Sequence, residues 1–215
     1  MFKKIKIFFF KIFQVLLKIS PSKISCELNN LRQRFMGRDI SFFYERKLNL
    51  YKVKSDKMTM YFNEKMRGFN TYAYGIKSRA LSLGDTYSLD KINFAKNDII
   101  IDCGANYGDL YIWSKINNIK INYISFEPAP NEFKCIELNC ADQNNNNLAL
   151  SNNLGKFEFY LKSESGDSSL IKPANGYNNK INVNTITLDK FLENLKIEKI
   201  KFFKVEAEGF EPEIL

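Results

Sequence analysis

Two short segments of the 215-residue chain carry the side chains best suited to chemistry. The first is the turn Asp102-Cys-Gly-Ala-Asn-Tyr-Gly108, which follows an apolar run that begins at Asp98. Glycine has no Cβ and lets a ligand approach the backbone closely. Glu127 ends the next apolar run, where a carboxylate can accept hydrogen bonds from both hydroxyls of a ribose. The turn and Glu127 together predict a cofactor site.

The glycine spacing of this turn separates the candidate cofactors. A dinucleotide site requires G-x-G-x-x-G, because its second glycine admits the pyrophosphate. In this chain that position holds Asn106, and the next glycine is Gly108. Asp102 would repel a pyrophosphate and suits a cationic amino-acid group. The pattern favours S-adenosylmethionine over a nicotinamide or flavin dinucleotide, with a plain strand–helix turn as the remaining alternative.

The second segment holds three ionisable side chains, Lys204, Glu206 and Glu208, after the apolar residues Ile200, Phe202 and Phe203. Strand side chains alternate, so Lys204 and Glu206 share one face, as does Glu208 if the strand continues. Charges at the end of an apolar strand are costly unless they are paired or functional. A reactive cluster and a surface salt-bridge cluster both fit this pattern.

The composition excludes several kinds of site. The chain has no histidine, which excludes an imidazole base, a catalytic triad and a His-ligated zinc. Its four cysteines contain no C-x-x-C pair, which argues against a zinc ribbon or a redox dithiol. We therefore expect no metal site, and reduced thiols in a cytoplasmic protein.

Alternating strand and helix patterns position both segments. Strands are predicted at 98–103, 122–127, 147–151, 156–162 and 200–206, helices at 107–117, 131–140 and 186–195, and loops at 144–147 and 166–177. This alternation predicts an α/β fold with a doubly wound, mostly parallel sheet. Such a sheet normally continues with further strands, so we expect the chain to be truncated at its carboxyl terminus and the domain to be incomplete.

The amino-terminal segment differs in character from the rest. Residues 1–23 contain six lysines and no acid, and without them the net charge of +8 falls to +2. Since the basic charge lies at one end, we expect no nucleic-acid partner. Residues 1–19 form an amphipathic pattern with Lys11 near its middle, which predicts a basic helix on a membrane surface and not a spanning one. A helix docked on the protein and a cleaved signal are the alternatives.

The expected domains are the basic amphipathic helix over 1–23, an extension over 24–90 that packs on the core, and the α/β domain over 91–215. Within the extension, the pattern predicts a helix over 29–44 and one or two strands over 48–62.

Five blocks in this order resemble the FkbM-type family of methyltransferases. They are Ile101-Asp-Cys-Gly-Ala-Asn-Tyr-Gly108, Ser125-Phe-Glu-Pro128, Ala149-Leu-Ser151, Thr187-Leu-Asp189 and Lys204-Val-Glu-Ala-Glu-Gly-Phe-Glu211. The resemblance covers about residues 85–215. It implies a Rossmann-like fold, S-adenosyl-L-methionine as the methyl donor, and O-methylation of a sugar or another small hydroxylated acceptor.

The resemblance also implies roles for individual residues. The methionine part of the donor would be lined by Asp102, Gly104, Asn106 and Gly108, and its ribose would be bound by Glu127. Lys204, Glu206 and Glu208 would face the acceptor, with Glu206 or Glu208 as the base. Glu206 stands where such sequences more often have Asp.

Three functions follow from these patterns. The leading one is a methyltransferase at the cytoplasmic face of the membrane that acts on a glycan. The alternatives are a nicotinamide-dependent oxidoreductase and a truncated, non-catalytic cofactor-binding fragment.

Overall fold

The computed structural model describes residues 2–162, 164–174 and 176–215, with only the backbone of residues 2–10. The chain divides into two compact units, residues 1–79 and Ala80–Leu215. Residues 80–90, which the sequence analysis assigned to the extension, belong to the second unit.

The first unit begins with two helices, α1 (Phe2–Ile19) and α2 (Ser22–Phe35). A three-stranded antiparallel sheet follows, with β1 (Ser41–Glu45), β2 (Leu50–Ser55) and β3 (Met58–Phe62) in chain order. Helix α3 (Lys65–Thr71) comes next, and the division between the units falls within α4 (Ile76–Thr86). The predicted amino-terminal helix is confirmed over residues 2–19 and stops short of the expected end at residue 23, because a second helix starts at Ser22. The strands over 48–62 are confirmed, whereas the amphipathic faces predicted for residues 2–10 lie outside the described side chains.

The predicted helix over 29–44 is wrong at both ends. Helix α2 starts at Ser22 and stops at Phe35, and Gly37 then adopts a left-handed φ of 67°, a conformation that ends helices. The following residues form β1, because Phe42 is fully buried among aromatic rings and Asn30 holds its backbone. The ring centroids of Phe42 and Phe69 lie 5.0 Å apart.

The second unit contains a four-stranded parallel sheet in the order β10-β4-β5-β6 and a three-stranded sheet in the order β7-β9-β8. The α-helices and β-strands of this unit after α4 are β4 (Asp98–Cys103), α5 (Asp109–Ile116), β5 (Ile121–Phe126), α6 (Pro130–Asn139), β6 (Asn144–Asn146), β7 (Ala149–Leu150), β8 (Gly155–Leu161), β9 (Asn179–Ile186), α7 (Leu188–Leu195) and β10 (Phe202–Val205). These bounds confirm the predicted α/β class and the parallel sheet.

Both faces of the parallel sheet are covered, which explains the nearly continuous apolar runs of its central strands. On one face, Phe126 of β5 packs edge-on against Phe191 of α7, with ring centroids 4.7 Å apart. On the other face, Tyr123 of β5 stacks on Tyr111 of α5 at 5.4 Å. Thr187 caps α7 by accepting a hydrogen bond from the Lys190 backbone N–H.

One further prediction in this unit is wrong, and one strand was missed. Residues 144–147 were predicted as a loop, yet Asn144–Asn146 form the edge strand β6. Strand β9 was not predicted, because its polar residues carry no apolar run. The predicted loop over 166–177 has no helix or strand in its described part, and its Asn175 lies outside the described residues.

None of the helices that the structure describes combines the length and apolar character needed to cross a bilayer.

Candidate functional site

The site is built on the turn between β4 and α5, whose backbone is unusual. Gly104, Asn106 and Gly108 all have left-handed φ angles, of 74°, 55° and 83°. The carbonyl of Phe126 accepts hydrogen bonds from the Gly104 and Ala105 N–H groups at 3.0 and 3.1 Å, which ties the turn to β5. A Cβ at Gly104 would overlap the carbonyl oxygen of Glu206. The turn therefore requires glycine for both its backbone conformation and its packing against the end of β10.

The side chain of Asn106 places in this turn a polar atom that has no hydrogen-bond partner among the described residues. Its side-chain Oδ1 is buried and accepts no hydrogen bond from any residue that the structure describes. A buried polar atom without a partner costs about 1–3 kcal/mol. Its position between two glycines leaves it as an acceptor for a donor group on a ligand.

Glu127 follows β5 and lies directly behind Asn106. One carboxylate oxygen accepts a hydrogen bond from the Asn106 N–H at 2.8 Å, and the other from the Ala129 N–H at 3.0 Å. The side chain is buried, and this burial, with the nearby Glu132, raises the pKa of Glu127 to about 7. Each oxygen keeps a second lone pair, so the carboxylate can still accept hydrogen bonds from hydroxyls.

A buried ion pair joins the two segments that the sequence analysis identified. Lys204 Nζ lies 2.9 Å from Asp102 Oδ1, and Tyr123 donates its hydroxyl to Asp102 Oδ2 at 2.6 Å. The same ammonium donates to the Gly104 carbonyl at 2.9 Å. Asp102 and Lys204 are 1% and 5% exposed, so both lie beneath the turn and not on its surface.

Glu206 lies on the same face as Lys204, as the alternation predicted. Its carboxylate is 3.1 Å from Lys204 Nζ, and its side chain is 54% exposed. The hydroxyl of Tyr87 also donates to this carboxylate, and the Tyr87 ring packs edge-on against Phe202 at 6.3 Å. Sequence reasoning missed Tyr87 because no motif surrounds it and its partner lies more than one hundred residues away.

Glu208 follows β10 in a loop and has a left-handed φ of 53°. Partial burial, together with Asp167 and Glu211, raises the pKa of Glu208. The loop is held by Glu211, which accepts hydrogen bonds from the Ala207 and Gly209 N–H groups at 2.7 and 2.9 Å. Ser169 adds a hydrogen bond from its hydroxyl to the Glu208 carbonyl at 3.0 Å.

The structure thus brings most of the predicted residues to one edge of the parallel sheet. Direct contacts join Asp102, Gly104, Lys204 and Glu206, and a hydrogen bond joins Asn106 to Glu127. Glu208 lies two residues beyond Glu206 on the following loop. Within the described residues, no group of three or more acidic or cysteine side chains has the arrangement of a metal site.

Comparisons with known proteins identify the family. The model of the methyltransferase FkbM domain matches residues 102–215, which is more than half of the chain and includes both site segments. Searches among curated proteins and among solved structures gave no match. The chain therefore belongs to the FkbM methyltransferase domain family, whose name supports a methyltransferase activity.

Proposed function

We propose that this chain is a methyltransferase dependent on S-adenosylmethionine, with the donor bound at the turn between β4 and α5. The strand order β6-β5-β4-β10 matches the order 3-2-1-4 of a Rossmann-like doubly wound sheet. In such sheets, ligands bind beyond the carboxyl ends of the strands, where the strand order reverses. Here that point lies between β4 and β10, where Gly104 meets the backbone of Glu206.

The observation that carries the proposal is the buried, unpartnered Oδ1 of Asn106 beside Glu127. Asn106 and the two glycines line this turn with backbone groups and one unpartnered amide oxygen, which suits an amino-acid group with N–H donors. Glu127 lies one hydrogen bond away and would accept the ribose hydroxyls. Asp102 contributes through its ion pair with Lys204, which fixes the end of β10 against the turn.

The bound donor supplies a methyl group on a positively charged sulfur. The residues of this chain then have to orient the acceptor hydroxyl and remove its proton as the oxygen attacks. Glu208 is the better candidate for the base, because its raised pKa gives it proton affinity and its carboxylate has no hydrogen bond to a described side chain. Glu206 is held by Lys204 and Tyr87, which suits it to orient the acceptor.

O-methylation of a sugar or another small hydroxylated molecule fits these carboxylates. We further propose a cytoplasmic location with contact to the membrane face through residues 1–19, where a lipid-linked glycan would be available. A nucleic acid is not proposed as the acceptor, because the second unit carries 14 Lys and Arg against 19 Asp and Glu.

Calorimetric titration with S-adenosylhomocysteine tests the donor site, with NAD as the control ligand. We expect binding of S-adenosylhomocysteine alone. Asn106→Gly removes the amide while tolerating the left-handed φ, and should weaken the affinity about five- to tenfold through the lost hydrogen bond.

Asn118→Gly is the matched control, because Asn118 has the same φ of 55° outside the site. Its affinity should equal that of the unchanged chain. Binding of NAD alone, or of neither ligand, would contradict the proposed donor site.

A further inference from the structure

Helix α2 in the first unit has its polar and apolar faces reversed. Three polar side chains on its inner face, Ser25, Asn29 and Gln33, are fully buried. Ser25 donates its hydroxyl to the carbonyls of Leu17 and Ser20, both at 2.9 Å. The amide atoms of Asn29 and Gln33, by contrast, have no hydrogen-bond partner among the described residues.

The outward face of α2 is apolar. Ile24, Leu28, Leu31 and Phe35 recur at intervals of three and four residues, which places them in one stripe along the helix. We call these four residues the outer stripe. Phe35 is 84% exposed, Ile24 is 47% exposed and Leu31 is 46% exposed.

This orientation is unfavourable for a helix that has only water outside. Burying unpartnered amides costs free energy, and exposing leucine and phenylalanine forgoes the gain of removing them from water. Rotating α2 by half a turn would reverse both effects. The observed orientation is consistent with an apolar medium that covers the outer stripe.

The charge of the first unit indicates which medium this is. Residues 1–79 contain 18 Lys and Arg against 5 Asp and Glu, and all six arginines of the chain. The net charge of +2 for residues 24–215 therefore combines a net charge of +7 over residues 24–79 with one of −5 over residues 80–215. Lys23, Glu27 and Arg34 are exposed and lie along one side of the outer stripe, which gives that side two basic side chains and one acidic side chain.

Two other occupants fit less well. A second copy of the chain would bring two strongly basic units together, which repel each other. A nucleic acid would use the basic groups but would leave the outer stripe in contact with water. An apolar stripe bordered by basic side chains is typical of helices in the interface of an anionic bilayer.

We propose that α2 lies in the interface of a membrane containing anionic lipid, with its outer stripe among the acyl chains and Lys23 and Arg34 at the headgroups. This surface is distinct from the proposed contact of residues 1–19 and does not depend on the methyltransferase activity.

A tryptophan at position 35 tests the proposal in the full-length chain. Trp113, the only natural tryptophan, is buried in the second unit and gives a constant background. Phe35→Trp should give a blue-shifted emission with phosphatidylcholine–phosphatidylglycerol vesicles and a smaller shift with phosphatidylcholine alone. Leu154→Trp, at a 62% exposed site in the second unit, should give no shift.

Loss of the stripe should weaken binding. Leu31→Ser/Phe35→Ser is expected to lower partitioning onto the anionic vesicles at least about tenfold. Leu154→Ser/Leu195→Ser is the matched control and should leave the partitioning unchanged, because both residues are exposed in the second unit. Circular dichroism should show unchanged helix content for both variants.

Three results would overturn the proposal. The first is a tryptophan emission of Phe35→Trp that does not shift when vesicles are added. If the chain nevertheless sediments with the vesicles, the binding would be assigned to residues 1–19. The second is a shift without vesicles that grows with protein concentration, which would identify a second copy as the occupant. The third is a shift with duplex DNA but not with vesicles.

Discussion

The parallel sheet of the second unit and helix α2 of the first unit treat their buried polar groups in opposite ways. In the second unit, Asp102 and Lys204 are buried as charges, but each is bound by the other and by further hydrogen-bonding groups. In the first unit, the amides of Asn29 and Gln33 are buried without a partner among the described residues. The net charges of the two units also differ in sign, +13 for residues 1–79 and −5 for residues 80–215.

This difference separates polar groups that serve the fold from polar groups that reflect an outside contact. A buried ion pair joins β4 and β10 and positions the proposed site, so the free-energy cost of burying its charges is offset by a contact that the fold uses. The unpartnered amides of α2 form no contact of this kind with the described residues of their unit. We infer that the buried ion pair serves the fold of the second unit, while the orientation of α2 depends on what covers its outer stripe.

Replacement of the proposed base should have the largest effect and should act on the second unit alone. Glu208→Gln is expected to lower methyl transfer about 10²–10⁴-fold, because the amide cannot take the acceptor proton. The measurement is transfer of tritiated methyl from S-adenosylmethionine to a panel of sugars. Partitioning onto anionic vesicles should not change.

Glu198→Gln, at an exposed carboxylate of the same unit, is the control and should retain full transfer. Normal transfer by Glu208→Gln would remove Glu208 from the role of base.

Removal of the buried ammonium should destabilise the second unit. Lys204→Met leaves Asp102 charged and without its partner, which should lower the free energy of unfolding by about 3–5 kcal/mol. Urea denaturation followed by circular dichroism measures this change. Lys201→Met, at an exposed position just before β10, should stay within about 0.5 kcal/mol.

The double variant Asp102→Asn/Lys204→Met removes both charges and should recover part of the loss. A single variant as stable as the unchanged chain would show that the ion pair does not hold β10 against β4.

A matched pair of glutamines sharpens the contrast between the units. Gln33→Met should raise the free energy of unfolding by about 1–2 kcal/mol, because it removes a buried amide that has no partner. Gln143→Met should lower it by about 1–3 kcal/mol, since Gln143 accepts from the Tyr123 N–H and donates to the Tyr111 hydroxyl. Urea denaturation measures the change in the free energy of unfolding of each variant. A loss of stability in Gln33→Met would contradict the claim that its buried amide is unsatisfied.

The smallest expected effect is a pH dependence of donor binding. The pKa of Glu127 is raised to about 7, so protons compete with the ribose hydroxyls for its carboxylate as the pH falls through that value. The affinity for S-adenosylhomocysteine should therefore fall about tenfold between pH 8 and pH 6. Titration calorimetry at both values measures this change.

Glu127→Gln should bind more weakly at pH 8, with an affinity that does not follow this profile. If the chain without substitutions bound S-adenosylhomocysteine with the same affinity at pH 6 and pH 8, this result would argue against ribose binding by Glu127.

Much of the second unit could be predicted because its signals are local. The apolar run at 98–103 and the helix over 186–195 were read from neighbouring residues, and the structure confirms them as β4 and α7. The helix over 29–44 was wrong because aromatic burial of Phe42 overrides the local pattern. Strand β6 was missed because its asparagines gain partners across the sheet, as Asn145 does from the Ser125 hydroxyl at 2.8 Å.

The sequence by itself determined the α/β class, the glycine turn and the position of the carboxylates, because periodicity and residue type are properties of neighbouring residues. Only the tertiary structure decided that Lys204 pairs with Asp102, that Tyr87 reaches Glu206, and that α2 turns its polar face inward. Each of these depends on which surfaces meet after folding. Contacts between residues far apart in the chain are set by packing, which no local pattern encodes.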